Sequence, residues 1–323
     1  MKWIFRNRRF LHAVMLICMI LQSGCRENLH KEGKEPSPGL SPPPPSAQSA
    51  APVWTFGIIY PMVNPTYETI TQKAEATASV HNIQLLVQAP DEANLEQQIR
   101  IMEMMIKRKV DGIAIDPVDS ASLIPVINKA VAQGIPVICF ESDSPGSNRS
   151  AYVGADNYRT GAVLGEEVGR LLDGRGMILV GTGMPHMLGL NQRLDGLLDY
   201  LSQHTMIDVL EVRSNDGSEA SALLQLEQMI EAHPHFSAFI SLDFVSASSS
   251  ILVWKAKGLK RSNVALGLTP FVEEAVNNGQ ITAVISQNEQ TWGEAIIRTL
   301  LSLVLEEEIG EFIDTGITRQ LAP

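Results

Sequence analysis

Few reactive side chains in this chain stand where covalent chemistry could use them. Gly181-Thr182-Gly183 lacks, in register, the third glycine and downstream acid of a dinucleotide fingerprint. The seven histidines have no metal-ligand spacing, and His233-Pro234-His235 reads as a loop. There is no Gly-x-Ser-x-Gly elbow and no Cys–His arrangement of catalytic type. Cys139 sits inside the apolar run 135–140 and reads as a small buried hydrophobe. The chain is therefore expected to be no enzyme, and to need no metal or cofactor. What remains is acceptor chemistry. Glu141 directly follows an apolar strand, a good place from which a carboxylate can accept two hydroxyls. Asp243 follows the run 239–242, with helix N-capping as its competing role. Charged acceptors make the stronger and more selective hydrogen bonds. A few of them on an apolar lining make a small-molecule site.

Such groups need a scaffold, and the scaffold is legible. From Trp54 onward short β-rich runs alternate with helical patterns. Residues 55–60, 83–87, 112–115 and 136–140 read as strands, and 67–80, 93–107 and 121–133 as helices. In 93–107, Leu95, Ile99, Met102 and Ile106 share one face. Gly134 ends a helix, with Pro136 just beyond. After residues 152–154 the alternation resumes. Helices are expected at 158–172, 190–202, 220–232, 247–257, 272–277 and 292–306. The strands between them fall at 177–180, 209–212, 238–241, 264–267 and 281–285. Continuously apolar strands such as Gly112-Ile113-Ala114-Ile115 belong in parallel sheets covered on both faces. Two sets of about five strands imply two similar doubly wound α/β lobes. Ligands bind beyond the carboxyl ends of such strands. The loops to watch are then 61–66, 141–146, 181–189, 243–246, 269–270 and 286–290.

The ends and the charge narrow the class. The chain has 323 residues, enough for two domains, and 45% of them are apolar, so a packed globule is expected. A net charge of −11 argues against nucleic acid, whose binders cluster Lys and Arg. Lys2, Arg6, Arg8 and Arg9 precede an apolar run, 11–21, too short to span a bilayer. With Ser23 and Gly24 behind it, this reads as an export signal. Residues 21–25, ending in Cys25, resemble the lipobox of bacterial lipoproteins, with Gln22 where that motif usually has leucine. Cys25 would be lipidated as the mature N-terminus, anchoring the protein at the extracytoplasmic face of the cell membrane. Residues 26–52, rich in Pro and Ser, would form a semi-extended tether to a solute-binding domain at 53–323.

The loops carry a resemblance. Phe56-Gly57-Ile58-Ile59-Tyr60 with Asn64-Pro65-Thr66-Tyr67 resembles the first strand and cleft loop of ribose-binding-type periplasmic proteins. Residues 109–119, then 134–138, then Phe140-Glu141-Ser142-Asp143 and Tyr152-Val153-Gly154-Ala155-Asp156-Asn157-Tyr158 follow in that family's order and spacing. The similarity runs over about 54–318 and is to the type I sugar-binding family of transport systems. It implies three crossings between the lobes, near Asn157, near 286–287 and near 314–316. The first lobe would be about 53–156 with 288–314, and the second about 157–287 with 315–323.

The same resemblance implies a ligand site. It would comprise Asn64, Tyr67, Glu141, Asp143, Asn191, Asp243, Thr269 and Gln287. Thr66 replaces an aromatic of the family, Ser142 the basic residue beside the acid in ribose binders, and Thr269 their aspartate; this weakens ribose specifically. Arg193 is expected to pair structurally with Asp195 or the cleft edge, and Trp292 to lie in helix core. A small polar ligand, expected to be a sugar, would bridge Glu141 and Tyr67 to Asn191 and Gln287 as the lobes close. The partner would be an ABC transporter permease or, alternatively, a membrane sensor kinase or chemoreceptor, with the binding protein itself a monomer. Lactose-type repressors share the lobed fold, but the export signal and tether stand where their DNA-binding segment would be.

Overall fold

The protein is described by a computed structural model covering residues 54–322. The expected export signal, Cys25 and the whole of the expected tether lie outside the described residues. The first lobe runs through β1 (Trp54–Ile59), α1 (Thr66–Val80), β2 (Ile83–Gln88), α2 (Leu95–Arg108), β3 (Gly112–Ile115), α3 (Ile124–Ala132), β4 (Val137–Phe140) and β5 (Ala151–Gly154). The second runs through α4 (Asn157–Leu171), β6 (Arg175–Thr182), α5 (Leu188–His204), β7 (Met206–Ser214), α6 (Glu219–Ala232), β8 (Ala238–Ser241), α7 (Phe244–Lys257), β9 (Ser262–Leu266), α8 (Pro270–Asn277) and β10 (Ala283–Ser286). The chain then gives α9 (Trp292–Val304), β11 (Phe312–Asp314) and β12 (Thr318–Leu321).

Among the described residues the strands form two six-stranded sheets, in the orders β11-β5-β4-β3-β1-β2 and β12-β10-β9-β8-β6-β7. Every pairing is parallel except β10 with β12. The doubly wound α/β reading is thus borne out. β3, β4, β8 and β10 are buried along their whole length, as strands with helices on both faces must be. Each sheet reverses its winding at one strand: β1 lies between β2 and β3, and β6 between β7 and β8. A crevice opens beyond the carboxyl ends at such switch points. The sheets hold six strands rather than the expected five because β11 and β12 add edge strands. Both are short and largely exposed, so no apolar run announced them.

After β10 the chain leaves the second sheet. On α9, Trp292, Ile296, Ile297 and Leu300 join the first lobe's core with Phe56, Ile58 and Phe140. β11 then extends the first sheet and β12 returns to the second.

Helices α4 and α5 lie almost backbone to backbone. A Cβ on Gly161 would sit 1.9 Å from the Arg193 carbonyl oxygen, and one on Gly196 1.9 Å from that of Tyr158. Gly161→Ala should force the helices apart and cost about 2–3 kcal/mol. Thermal denaturation should show this as a fall in Tm of roughly 4–12 °C.

Candidate functional site

The loop after β1 turns on Asn64, whose Oδ1 accepts from the Thr66 amide at 2.9 Å. This starts α1 and delivers Tyr67, 5% exposed, to the floor of the crevice. The Tyr67 ring stacks on Tyr60 with centroids 4.4 Å apart. Its hydroxyl lies 3.3 Å from both Asp116 Oδ2 and Glu141 Oε2. Asp116 ends β3 and Glu141 ends β4, so two apolar strands each terminate in a buried acid. Glu141 holds a left-handed φ of 58°. Its carbonyl is fixed by Tyr152 Oη and Asn157 Nδ2, each donating at 2.9 Å. Such backbone strain persists where the surroundings enforce it.

The second lobe answers with a cation. Arg193 on α5 is 1% exposed. Its Nε donates to Asn157 Oδ1 at 2.7 Å, Nη1 to the Leu242 carbonyl at 3.1 Å and Nη2 to Gln287 Oε1 at 3.0 Å. Nη2 also lies 3.8 Å from Glu141 Oε1, an ion pair between the lobes. Of the two partners expected for Arg193, the cleft edge holds, through Glu141, and Asp195 does not, being exposed on the other side of the helix. Gln287 is fully buried, and its Nε2 donates to Asn157 Oδ1 and Thr160 Oγ1 at 2.8 and 2.9 Å.

Burial, and then the charge of Glu141, hold the Asp116 carboxyl well above the usual aspartate range; Arg193 opposes this. Burial likewise raises Glu141, again against Arg193. The folded pair of acids therefore holds on to a proton at pH values where the unfolded chain, near 3.8 and 4.5, has already released its own. Their contribution to stability is greatest in acid and declines as pH rises above those values. Asp116→Asn keeps an acceptor for Tyr67 and removes one of the two charges. Its Tm should exceed that of the wild type by roughly 2–6 °C at pH 8, with the gap closing toward pH 5. Calorimetric melts across that range check the sign, and a gap widening in acid contradicts it.

The lobes also meet through α5. Met187 offers this helix no side-chain cap. The cap comes from the other lobe: Ser120 Oγ accepts from the Leu188 amide and Ser142 Oγ from the Gly189 amide, both at 3.0 Å. Around it Val118 of the first lobe packs with Met184, Met187 and Leu190 of the second, and Met62 packs with Ala222 and Val245.

A small cavity remains between the strand ends. The first lobe lines it with Met62, Asn64, Tyr67 and Glu141; the second with Met184, Met187, Leu190, Asp243, Phe244 and Val245. Of the sequence candidates, Asn64, Tyr67, Glu141 and Asp243 are thus brought together. Asp243 keeps its competing role as well, capping α7 by accepting from the Val245 and Ser246 amides. Gln287 stands behind the cavity as a brace for Arg193. Three candidates lie elsewhere. Asp143 is held in a two-pronged ion pair by Arg149, at 2.5 and 2.6 Å. Asn191 is exposed and donates to the Pro185 carbonyl at 3.0 Å. Thr269 caps α8 through the Val272 amide at 3.2 Å and faces an outer groove that also reaches Asn64. Trp292 lies in helix core as expected. Asp116 and Phe244 belong to the site without being among the sequence candidates. Asp116 carried the signal that marked Glu141, an acid ending the apolar run Ile113-Ala114-Ile115.

Comparison with known proteins agrees with this architecture. A D-ribose/D-allose-binding protein of Pseudomonas aeruginosa is 24% identical over 245 residues, covering 72% of this chain and 76% of its own. The ribose import binding protein of Escherichia coli is 20% identical over 254 residues, covering 78% and 85%. A solved ABC transporter solute-binding protein of Burkholderia graminis, in complex with D-arabinose, superposes with a TM-score of 0.79 at 27% identity, over 84% of this chain and 96% of that one. A XylFII–LytSN complex superposes at 0.78 with 20% identity, over 84% and 98%. Among the described residues no helix is long and apolar enough to cross a membrane. The model of the periplasmic binding protein domain matches residues 56–308, most of the chain, and the chain belongs to that family.

Proposed function

We propose that this protein captures a sugar between its lobes for an ABC transporter and does no chemistry on it. The observation that carries the reading is the buried acceptor set of Glu141, Asp116 and Tyr67 on one lobe, faced by Arg193 from the other. A hydroxyl-rich ligand supplies donors to the carboxylates, and gripping it from both sides favours the closed arrangement. The relatives support a sugar: ribose, allose and arabinose stand in the names of those described above. Cys25 would carry the lipid anchor on the extracytoplasmic face, with 26–52 as tether and the domain working as a monomer. Titration calorimetry of the mature protein with D-ribose, D-allose, D-arabinose and D-fucose tests the reading. Saturable binding of at least one, with the sugar recovered unchanged, is expected. Turnover of the bound sugar, or no binding of any sugar, overturns it. One observation favours a second reading as a sensor subunit: the similar XylFII structure held in complex with a second protein, LytSN. Crosslinking in the native membrane separates the two, since a permease and a sensor kinase differ in mass and sequence.

A further inference from the structure

The cavity has two chemically different walls. The first lobe gives it three residues with polar groups, Glu141, Tyr67 and Asn64, beside one methionine, Met62. Behind Tyr67 and Glu141 stands Asp116, whose buried Oδ1 has no donor among the described residues. The second lobe gives it Met184, Met187, Leu190, Phe244 and Val245. Its one polar lining side chain, Asp243, is already engaged by three donors of its own lobe. Asp243 Oδ2 accepts from the Val245 amide at 3.0 Å, the Ser246 amide at 3.3 Å and Asn215 Nδ2 at 3.1 Å, and Oδ1 from Asn215 and Ser246 as well. Arg193 does not line the cavity, and each of its nitrogens is engaged with Asn157, Leu242 or Gln287. A ligand's hydrogen-bonding edge is therefore met by one lobe, and its opposite edge by thioether, alkyl and aryl surface. A hydroxyl pressed on that surface loses water and gains no side-chain partner, whereas a methyl group there gains contact.

We infer that the site selects a sugar with a deoxy, methyl-terminated edge over the same sugar carrying a hydroxymethyl group there. This rests on the sugar-binding reading and sharpens it. Phe244 completes the apolar wall from the tip of α7. Its ring stands 6.4 Å from Tyr67 and 6.5 Å from Trp292, so the wall is fixed against the first lobe's core when the lobes meet.

The test is a set of matched pairs titrated calorimetrically against the wild-type protein: D-fucose with D-galactose, L-rhamnose with L-mannose, 6-deoxy-D-glucose with D-glucose, and 6-deoxy-D-allose with D-allose. In the tightest-binding pair the deoxy sugar should bind about 10- to 100-fold more tightly, the discrimination expected of an apolar pocket. Equal or tighter binding of the hydroxylated member overturns the inference and leaves sugar capture standing. No binding in any pair overturns both. Met184→Gln and Met187→Gln, isosteric and able to serve a hydroxyl, should narrow the ratio. An unchanged ratio in both variants refutes the role given to this wall.

Discussion

Arg193→Ala should unfold the protein at a markedly lower temperature. The guanidinium is buried, and three of its four contacts, to Asn157, Leu242 and Gln287, lie on the second lobe's side. They do not depend on the lobes meeting. Removing it strands the Leu242 carbonyl and Gln287 Oε1, and leaves Glu141 and Asp116 without the cation that opposes their repulsion. Breaking a buried pair by deleting one partner costs about 3–5 kcal/mol. For a domain of this size that lowers Tm by roughly 6–20 °C. Arg193→Lys should recover part of the loss. An ammonium keeps the charge but cannot present a planar fork to three acceptors at once. Urea and thermal denaturation measure both variants. An alanine variant melting within about 2 °C of the wild type would make the network dispensable.

How far the sequence led follows from the physics of each element. The βα alternation was legible because strands buried on both faces are apolar throughout, as in β3 and β4. β11 and β12 were not, because short edge strands facing water need no such pattern. Glu141 was visible as an acid closing an apolar run. Arg193 was not, since its role depends on how closely α5 lies on α4, which Gly161 and Gly196 allow. Helix phase explains the exchange of Asn191 for Arg193. Two residues apart on a helix is about 200° of rotation, so when Arg193 faces inward Asn191 faces water. The methionine wall could not be read either. Met184 and Met187 sit in a loop without periodicity, and their place on the cavity wall, packed with Val118 of the other lobe, follows from the tertiary fold alone.

Glu141→Ala should separate binding from stability by moving them in different directions. The carboxylate reaches toward Tyr67 with one oxygen and toward Arg193 with the other, so a bound sugar meets a charged acceptor whose position is fixed on two sides. A hydrogen bond to a charged group contributes about 1.5–3 kcal/mol. Losing two such bonds to sugar hydroxyls weakens binding by at least about 100-fold. The unliganded fold has less to lose. The Glu141 backbone carbonyl, which Tyr152 and Asn157 grip, survives the substitution. Burial and the neighbouring acid already disfavour the charged pair, so removing one member lifts that cost, while Arg193 keeps its hydrogen bonds to Asn157, Leu242 and Gln287. Tm without sugar should stay within about 2 °C of the wild type or rise. Asn191→Ala, on the outer face of the same helix as Arg193, is the control, and should change affinity by no more than about twofold. Titration with the tightest of D-ribose, D-allose, D-arabinose and D-fucose, beside melts of the same samples, reads both quantities. If Glu141→Ala binds as the wild type does, or loses affinity only in proportion to a collapsed Tm, the carboxylate is a structural group and the site lies elsewhere in the crevice.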